Sequence, residues 1–243
     1  SGMNILLDVL AYNTHYLGFN ANMLANEMFL DSASLRSSIV SHSKTLGYVP
    51  TSARAAKATV DITLNTNETT ITMPAGTVFN ASVDGASYKF STITDVTKSN
   101  TGGDIPFLNT DIYEGTFITT RYTVNSSDID QRFLLTDNRA DTTTLTVKVQ
   151  TSSTDTTSNT FTEATDITQV TASSNVYFLQ EVEAGLYEIY FGDGVIGTAL
   201  SDDNIVILTY IVSNKSAANG AAIFTNAATI GGVSDVAVAT VAA

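Results

Sequence analysis

Residues 4–30 read NILLDVLAYNTHYLGFNANMLANEMFL, and their apolar side chains recur at the spacing of one helix face. The intervals are mostly three or four residues, so an α-helix gathers these side chains into one stripe. This first stripe consists of Ile5, Val9, Tyr12, Tyr16, Phe19, Met23 and Leu30. The stretch therefore predicts a long amphipathic helix, around which the rest of the sequence is interpreted.

A second apolar stripe lies beside the first one and widens the apolar surface of this helix. It consists of Leu6, Leu10, Leu17 and Leu24. Two stripes indicate a helix that is contacted from more than one side. The remaining face is expected to carry polar, uncharged side chains, namely Asn13, Asn20, Asn22 and Asn26. Gly18 lowers the stability of the helix slightly.

A shorter helix is predicted to follow. The polar run 31–34 interrupts the first helix and offers side chains for the N-cap of a second one. That helix runs through Leu35, Ile39, His42 and Leu46. Gly47 supplies a left-handed C-cap, and Pro50 ends any continuation. We therefore expect a helical hairpin, or bundle segment, over residues 4–50.

Two interpretations of this helical segment stay open. In the first, both helices pack on each other and on the rest of the chain as part of an internal core. In the second, they enter a bundle that is shared with other subunits. We favour the shared bundle, because monomeric proteins seldom expose an apolar surface of this extent. The seven residues of the first stripe are then the candidate subunit interface.

From Ala58 onward the hydrophobic period becomes two, as in residues 58–64, ATVDITL, which is typical of β-strands. Further short strands are predicted within residues 70–73, 78–79, 88–90, 117–124, 132–136, 145–150, 176–182, 186–191 and 205–212. The Thr- and Ser-rich stretch 151–174 is expected to be a long loop with one weak strand. The chain is thus α+β, with a mainly antiparallel, sandwich-like β body over residues 51–243. Residues of about 110–175 are a candidate inserted subdomain.

Two glycine-containing turns are expected to be structural. Pro74 and Gly76 form a compact turn between two strands. The second turn consists of Gly192, Asp193 and Gly194. It has too few glycines for a phosphate-binding loop and opens no helix, so it is interpreted as a hairpin turn whose glycines accept positive φ.

Composition argues against catalysis and against several classes of partner. The 243 residues carry 11 Lys and Arg against 24 Asp and Glu, a formal net charge of -13. Such a surface repels phosphate groups, so neither nucleic acid nor an anionic membrane is an expected partner. The chain has no Cys and two His, which excludes thiol chemistry and leaves little for imidazole catalysis or a histidine metal site. We therefore expect no catalytic residues, no cofactor and no bound metal.

Two other functions stay open as alternatives. The first is a carbohydrate-binding adhesin module, in which aligned tyrosines would stack on sugars. Aromatic packing between neighbouring strands explains the same residues. The candidates are Tyr187, Tyr190 and Tyr210. A hydrolase would need two carboxylates about 5–10 Å apart. The candidate pairs join Asp193 to Glu188 or to Asp202.

Three segments, in order along the chain, resemble one family. The first comprises residues 6–14 (LLDVLAYNT), 34–40 (SLRSSIV) and 46–52 (LGYVPTS); the second is 71–79 (ITMPAGTVF); the third is 187–197 (YEIYFGDGVIG), followed by 207–213 and 218–221. Together they are similar to the large baseplate wedge proteins of T-even-like contractile-tail phages, in the baseplate-J family. Residues 100–174 match this family only loosely. Because the wedge proteins extend past both ends of this sequence, we expect a fragment or a shortened relative.

The resemblance implies a structural protein of the virion. Proteins of this family are assembled in the host cytoplasm into the wedges of the tail baseplate. Their partners are a second copy of the same chain and a second large wedge protein. Six wedges join around a central hub, and host attachment rearranges the plate and triggers sheath contraction. Neither catalytic residues nor cofactors are implied.

Overall fold

The computed structural model describes residues 2–48, 51–128 and 130–242, with Glu183 described by its backbone alone. The chain divides into two compact units, Ser1–Thr51 and Ser52–Ala243. We call the first the helical unit and the second the β body. The expected end of the helical segment at Pro50 lies outside the described residues.

The helical unit contains α1 (Gly2–Glu27) and α2 (Arg36–Thr45). The hydrogen bonds that join them gather at the C-terminal end of α1. There the His42 ring nitrogen Nε2 lies 2.8 Å from the carbonyl oxygen of Glu27. The predicted helices are present, but a hairpin in which they pack side by side along their lengths is not confirmed.

The N-terminus of α2 is capped differently from the prediction. Its N-cap residue is Leu35, whose side chain makes no capping hydrogen bond. Instead, the carboxylate of Glu27 accepts the backbone N–H groups of Ser34 at 2.9 Å and of Leu35 at 3.2 Å. The last residue of one helix therefore caps the next helix. The C-cap lies at Leu46, and Gly47 follows with a φ of 78°.

The β body consists of strands and of three short 3₁₀ turns, Ile167–Gln169, Glu183–Gly185 and Lys215–Ala218. The strands are β1 (Lys57–Asn65), β2 (Thr70–Met73), β3 (Val78–Val83), β4 (Ala86–Ser91), β5 (Val96–Ser99), β6 (Asp104–Glu114), β7 (Thr116–Thr123), β8 (Phe133–Leu135), β9 (Ala140–Gln150), β10 (Ser158–Glu163), β11 (Val176–Glu181), β12 (Tyr187–Phe191), β13 (Ile205–Val212), β14 (Phe224–Asn226) and β15 (Val236–Ala242). The period-two pattern predicted most of them, but β5, β6, β14 and β15 were missed.

The first sheet has six strands in the order β14-β3-β4-β6-β1-β15, all paired antiparallel. Alternate residues of β1 are buried, as its sequence pattern predicts. The two outer strands come close together, because the Thr240 hydroxyl donates to the carbonyl of Ala222 at 2.6 Å. The sheet is therefore curled nearly into a barrel. The short β2–β5 pair forms a separate sheet.

The second sheet has seven strands in the order β7-β13-β9-β10-β11-β12-β8, of which β10 and β11 are parallel. Its outer strands also approach each other. The Tyr122 hydroxyl donates to the carbonyl of Leu134 at 2.8 Å, and the rings of Tyr122 and Phe133 lie 5.7 Å apart, edge to face. Strand β10 lies in the Thr- and Ser-rich stretch 151–174, where one weak strand was expected.

Each sheet encloses a hydrophobic core of its own. The first core includes Phe79 and Phe107, and the second includes Leu208 and Tyr210, all four fully buried. A sandwich would place two sheets over one shared core. That arrangement is not confirmed, because curled sheets bury their apolar faces inside themselves.

The chain leaves the first sheet after β6 and returns to it with β14, so the second sheet is an insertion. The inserted strands run from residue 116 to 212, beyond the expected end near 175. Two buried carboxylates form hydrogen bonds between segments that flank the first sheet and segments that flank the second. Glu114 accepts the backbone N–H of Asn214 at 2.9 Å, and Asp141 accepts that of Ala55 at 2.8 Å.

Candidate subunit interface

Helix α1 is an apolar helix that is not covered. None of its 26 residues is buried. Twelve large apolar side chains of α1 are between 43% and 71% exposed: Met3, Ile5, Leu6, Leu7, Val9, Leu10, Tyr12, Tyr16, Leu17, Phe19, Met23 and Leu24. Soluble monomers rarely expose contiguous apolar surface of this size, which makes the helix a candidate contact surface.

All members of the first stripe are exposed. Six of them lie on α1, namely Ile5, Val9, Tyr12, Tyr16, Phe19 and Met23. Leu30 lies in the turn after the helix and is 44% exposed. Within the stripe, the rings of Tyr12 and Tyr16 pack 5.7 Å apart. The residues of the second stripe are exposed as well.

The surface of α1 is almost uncharged. Its sequence contains two carboxylates, Asp8 and Glu27, and neither Lys nor Arg. The side chain of His15 is exposed. Attraction between opposite charges would therefore contribute little to binding at this surface. The driving force would be the removal of apolar side chains from water.

The Glu27 carboxylate fixes the corner between α1 and α2. It accepts hydrogen bonds from the Ser34 hydroxyl at 2.7 Å and from the Ser34 backbone N–H. These bonds, the hydroxyl first, lower the pKa of Glu27 to about 2. The carboxylate is thus ionised at neutral pH and holds the corner together. This role was not predicted, because a cap supplied by a residue seven positions before Ser34 leaves no local signal in the sequence.

The turn at Pro74 and Gly76 lies between β2 and β3, with Gly76 at a φ of 82°. A Cβ atom at Gly76 would stand 2.9 Å from the ring of Phe117. The Asp95 carboxylate also accepts the Ala75 N–H at 2.8 Å. Glycine is therefore required here both by the backbone conformation and by the close approach of a side chain.

The interpretation of Gly192, Asp193 and Gly194 as a hairpin turn is wrong. Strand β12 pairs with β11 and β8, whereas the next strand, β13, pairs with β7 and β9. The segment begins a loop that folds back on itself, and Asp193 accepts the N–H groups of Val195 and Ile196. A Cβ at Gly192 would stand 2.4 Å from the backbone of Gly197. Close backbone approach requires the glycine at position 192, whereas Gly194 has the positive φ that was expected, at 86°.

The tyrosine platform of the adhesin alternative is not formed. Tyr187 and Tyr210 are buried in the second core. Tyr190 is 41% exposed, and its hydroxyl donates to Glu188 at 2.8 Å. Because Arg132 binds Glu188 through two hydrogen bonds of 2.7 and 2.8 Å, the pKa of Glu188 is lowered. These contacts hold β8 and β12 together.

The carboxylates of the hydrolase alternative are engaged in local structure. Asp202 accepts from the backbone and hydroxyl of Ser126, while Asp193 and Glu188 have the partners given above. Over residues 2–48, 51–128 and 130–242, no group of three or more His, Cys, Asp or Glu is arranged to hold a metal ion. Within the same ranges, helices with the length and apolarity to cross a membrane are absent.

Comparison with known proteins gives two family matches. The helical domain of the family "baseplate wedge protein gp6-like" matches residues 1–48, which contain α1 and α2. The third domain of the family "bacteriophage baseplate wedge protein gp6" matches residues 118–229, which contain most of the second sheet. The baseplate wedge protein gp6 of Enterobacteria phage T4 is 28% identical over an alignment of 252 positions, which covers 95% of this chain. This chain resembles the gp6-like baseplate wedge proteins.

The chain spans 37% of the length of the T4 protein. The similarity to baseplate wedge proteins expected from the sequence is confirmed at this level. The third-domain match extends into residues 118–174, where the sequence alone showed a loose resemblance. The gp6-like helical match covers the whole of α1, so the exposed helix lies within the region that is similar to wedge proteins.

Proposed function

We propose that this chain is a structural component of a contractile-tail baseplate wedge and that α1 docks with other wedge subunits. The observation that carries the proposal is the exposure of twelve large apolar side chains on α1, in a region similar to the helical domain of wedge proteins. The β body, with its two enclosed cores, serves as the scaffold from which this helix is presented.

Apolar burial supplies enough free energy for such docking. Fully burying a Leu, Phe or Met side chain contributes about 1.5–3 kcal/mol. Covering the twelve exposed apolar side chains of α1 would therefore contribute free energy of at least the same order as the cost of association, which is about 4–15 kcal/mol. A partner helix with a matching apolar stripe fits this surface, because ridges and grooves of two helices interdigitate.

The β body has the properties of a rigid scaffold. Both sheets close nearly on themselves, and buried carboxylates bind the segments that pass between them. When the baseplate rearranges, each wedge subunit has to move as a rigid body. The body therefore transmits motion and does not itself change fold.

Several finer points belong to the same proposal. We place the chain in the baseplate-J family and in the virion tail baseplate, after assembly in the host cytoplasm. Its partners are a second copy of itself and a second large wedge protein, and its wedge joins the six-fold plate whose rearrangement triggers sheath contraction. No enzymatic activity is proposed, since the similarity is to a structural protein.

The test replaces Tyr16 and Phe19 together by Ser in the full chain and measures capture of the second large wedge protein in a pull-down. We expect loss of capture, because two large rings leave the interface. The matched control, Ala11→Ser with Ala25→Ser, lies on the side of α1 that faces away from Tyr16 and should leave capture unchanged. Normal capture by the first variant, with unchanged circular dichroism, would contradict the proposal.

A further inference from the structure

Two loops of the β body meet at one end of the second sheet. Residues 164–175 connect β10 to β11, and residues 192–199 follow β12. The strands bring the loops together, because β12 ends beside the start of β11. The backbone N–H of Gly197 donates to the carbonyl oxygen of Thr171 at 3.1 Å, and a Cβ atom at Gly197 would stand 3.1 Å from the side chain of Val176. We call these two segments the loop pair.

The tip of the second loop has a fixed backbone. The N–H of Gly194 donates to the carbonyl oxygen of Gly197 at 3.0 Å, which closes the tip. Between these two glycines, the N–H groups of Val195 and Ile196 donate to the carboxylate of Asp193 at 2.9 and 3.0 Å. A segment that is already ordered loses little conformational entropy when it binds a partner.

The loop pair exposes large apolar side chains. Ile167, Val195 and Ile196 are 58%, 72% and 41% exposed. The described part of the β body exposes seven large apolar side chains in all, so three of the seven lie on the loop pair. Single exposed apolar residues are ordinary on a protein surface, whereas a cluster on two joined loops indicates a contact site.

The segment that contains the loop pair carries charge of one sign. Residues 149–214 include nine Asp and Glu and neither Lys nor Arg. Two of these carboxylates, Asp166 and Asp193, are exposed on the loop pair itself. Hydrogen bonds from Thr168, its hydroxyl first, lower the pKa of Asp166, and backbone N–H groups of the tip lower the pKa of Asp193. Both carboxylates are therefore ionised at neutral pH.

We infer that the loop pair docks, through Ile167, Val195 and Ile196, into an apolar pocket bordered by Lys or Arg on a different protein subunit. A second copy of this surface is a poor occupant, because like charges would be brought together. Nucleic acid and anionic lipid are repelled for the same reason. The contact is separate from α1, and the inference rests on the proposed function only in that the chain works within an assembly.

The division of roles within the loop pair follows from general properties of protein interfaces. A few apolar side chains that enter a pocket carry most of the binding free energy, and charges around them guide association and select the partner. Val195 and Ile196, with Ile167 beside them, suit the first role. Asp166 and Asp193 suit the second.

Photo-cross-linking in the full chain tests this contact. Gln169→p-benzoylphenylalanine places the photoreactive group on an exposed position of the loop pair and keeps all three apolar side chains. Irradiation of infected host cells should give a cross-link to a protein other than this chain, at a peptide with apolar residues and Lys or Arg. Adding Val195→Ser and Ile196→Ser should lower the yield by about tenfold, because two apolar side chains leave the pocket.

The matched control is Ile223→Ser, which removes an apolar side chain that is 78% exposed and lies just before β14 in the first sheet. It should leave the cross-linking yield unchanged. Thermal melts of both serine variants should match that of the parent, because the replaced side chains are exposed.

A second pair of variants tests the charge of the partner. Asp166→Asn with Asp193→Asn keeps the side-chain oxygens that accept backbone N–H groups and removes both charges. The yield should fall about two- to fivefold, as for exposed ion pairs. The control Asp155→Asn removes a carboxylate before β10, at the other end of that strand, and should have no effect.

Several results would overturn the inference. An unchanged yield after Val195→Ser and Ile196→Ser, or an equal loss after Ile223→Ser, would remove the loop pair as the contact. A cross-link to a second copy of this chain, or to a peptide without Lys or Arg, would contradict the inferred partner, and no cross-link at all would contradict docking. The wedge function is judged separately, by the pull-down with Tyr16→Ser and Phe19→Ser, which leaves the loop pair intact.

Discussion

Helix α1 and strand β13 are both rich in apolar residues, yet they end in opposite environments. All 26 residues of α1 lie outside the cores, whereas five of the eight residues of β13 are buried. Strand β13 is paired on both sides, by β7 and β9. A helix satisfies its backbone hydrogen bonds within itself, while a strand needs neighbours. A helix can thus form with its apolar side chains exposed, whereas a strand such as β13 cannot form without neighbours.

The largest expected difference between the two regions is the cost of removing an apolar side chain. Phe79→Ala empties space in the first core and should lower the free energy of unfolding of the β body by about 3–5 kcal/mol. Leu17→Ala on α1 should leave this free energy unchanged, because Leu17 is 63% exposed. Urea unfolding followed by the β-sheet circular dichroism signal measures both. A comparable loss for the two variants would show that α1 is covered by its own chain.

Glycine substitutions should sharpen the comparison with effects of opposite sign. A Cβ at Gly115, where φ is 128°, would stand 2.3 Å from the carbonyl oxygen of Val212, whereas Gly18 has open space around it. Gly115→Ala should destabilise the β body by about 1–3 kcal/mol through overpacking. Gly18→Ala should stabilise α1 by about 1 kcal/mol. Thermal melts at sheet and helix wavelengths distinguish these effects, and destabilisation by Gly18→Ala would argue against an open helix surface.

The smallest expected effects come from two carboxylates, Glu188 in the β body and Glu27 in the helical unit. Glu188→Gln removes the charge that Arg132 pairs with and should cost about 1 kcal/mol at pH 7. Because folding lowers the pKa of Glu188, this contribution is complete above about pH 4.5, near its unfolded pKa, and is lost as pH falls through its folded pKa. The unfolding free energies of variant and parent should therefore converge in acid.

Glu27 should behave in the same direction but persist further into acid, since its folded pKa is about 2. Its capping contribution is complete above the unfolded pKa, near 4.5, and is lost as pH falls through the folded pKa of about 2. Glu27→Gln should reduce the helical circular dichroism signal slightly at pH 7 and leave the unfolding of the β body unchanged. A change in β-body stability would show that the corner of the helical unit has a wider role.

Local patterns predicted much of this molecule, and their failures share one cause. The stripe that contains Tyr16 and the alternation in β1 identified the helix and the strand directly. The missed strand β15 pairs with β1, and Asn65 reaches Asp235 across 170 positions of sequence. Local periodicity carries no information about such pairing. The resemblance to wedge proteins came from ordered short motifs, since neither composition nor any single turn identified a family.

The candidate interface stays a prediction, although the exposure of its apolar residues agrees with it. The first stripe was assigned as a contact surface from spacing alone, and all its members are exposed. Asn13 and Asn20 were grouped with Asn22 because counting residues by type ignores angular position. The helical geometry of α1 separates them.

By itself, the sequence determined that a long apolar helix precedes a chain of short strands, because the side-chain period of each element is a property of a few consecutive residues. Only the tertiary structure decided that each sheet closes over its own core, that Glu27 caps a helix it does not belong to, and that α1 stays uncovered. The closure of each sheet depends on contacts between residues far apart in the chain, where geometry and competition for burial select one pairing among many. The Glu27 cap has a shorter range and depends on how the chain turns after α1.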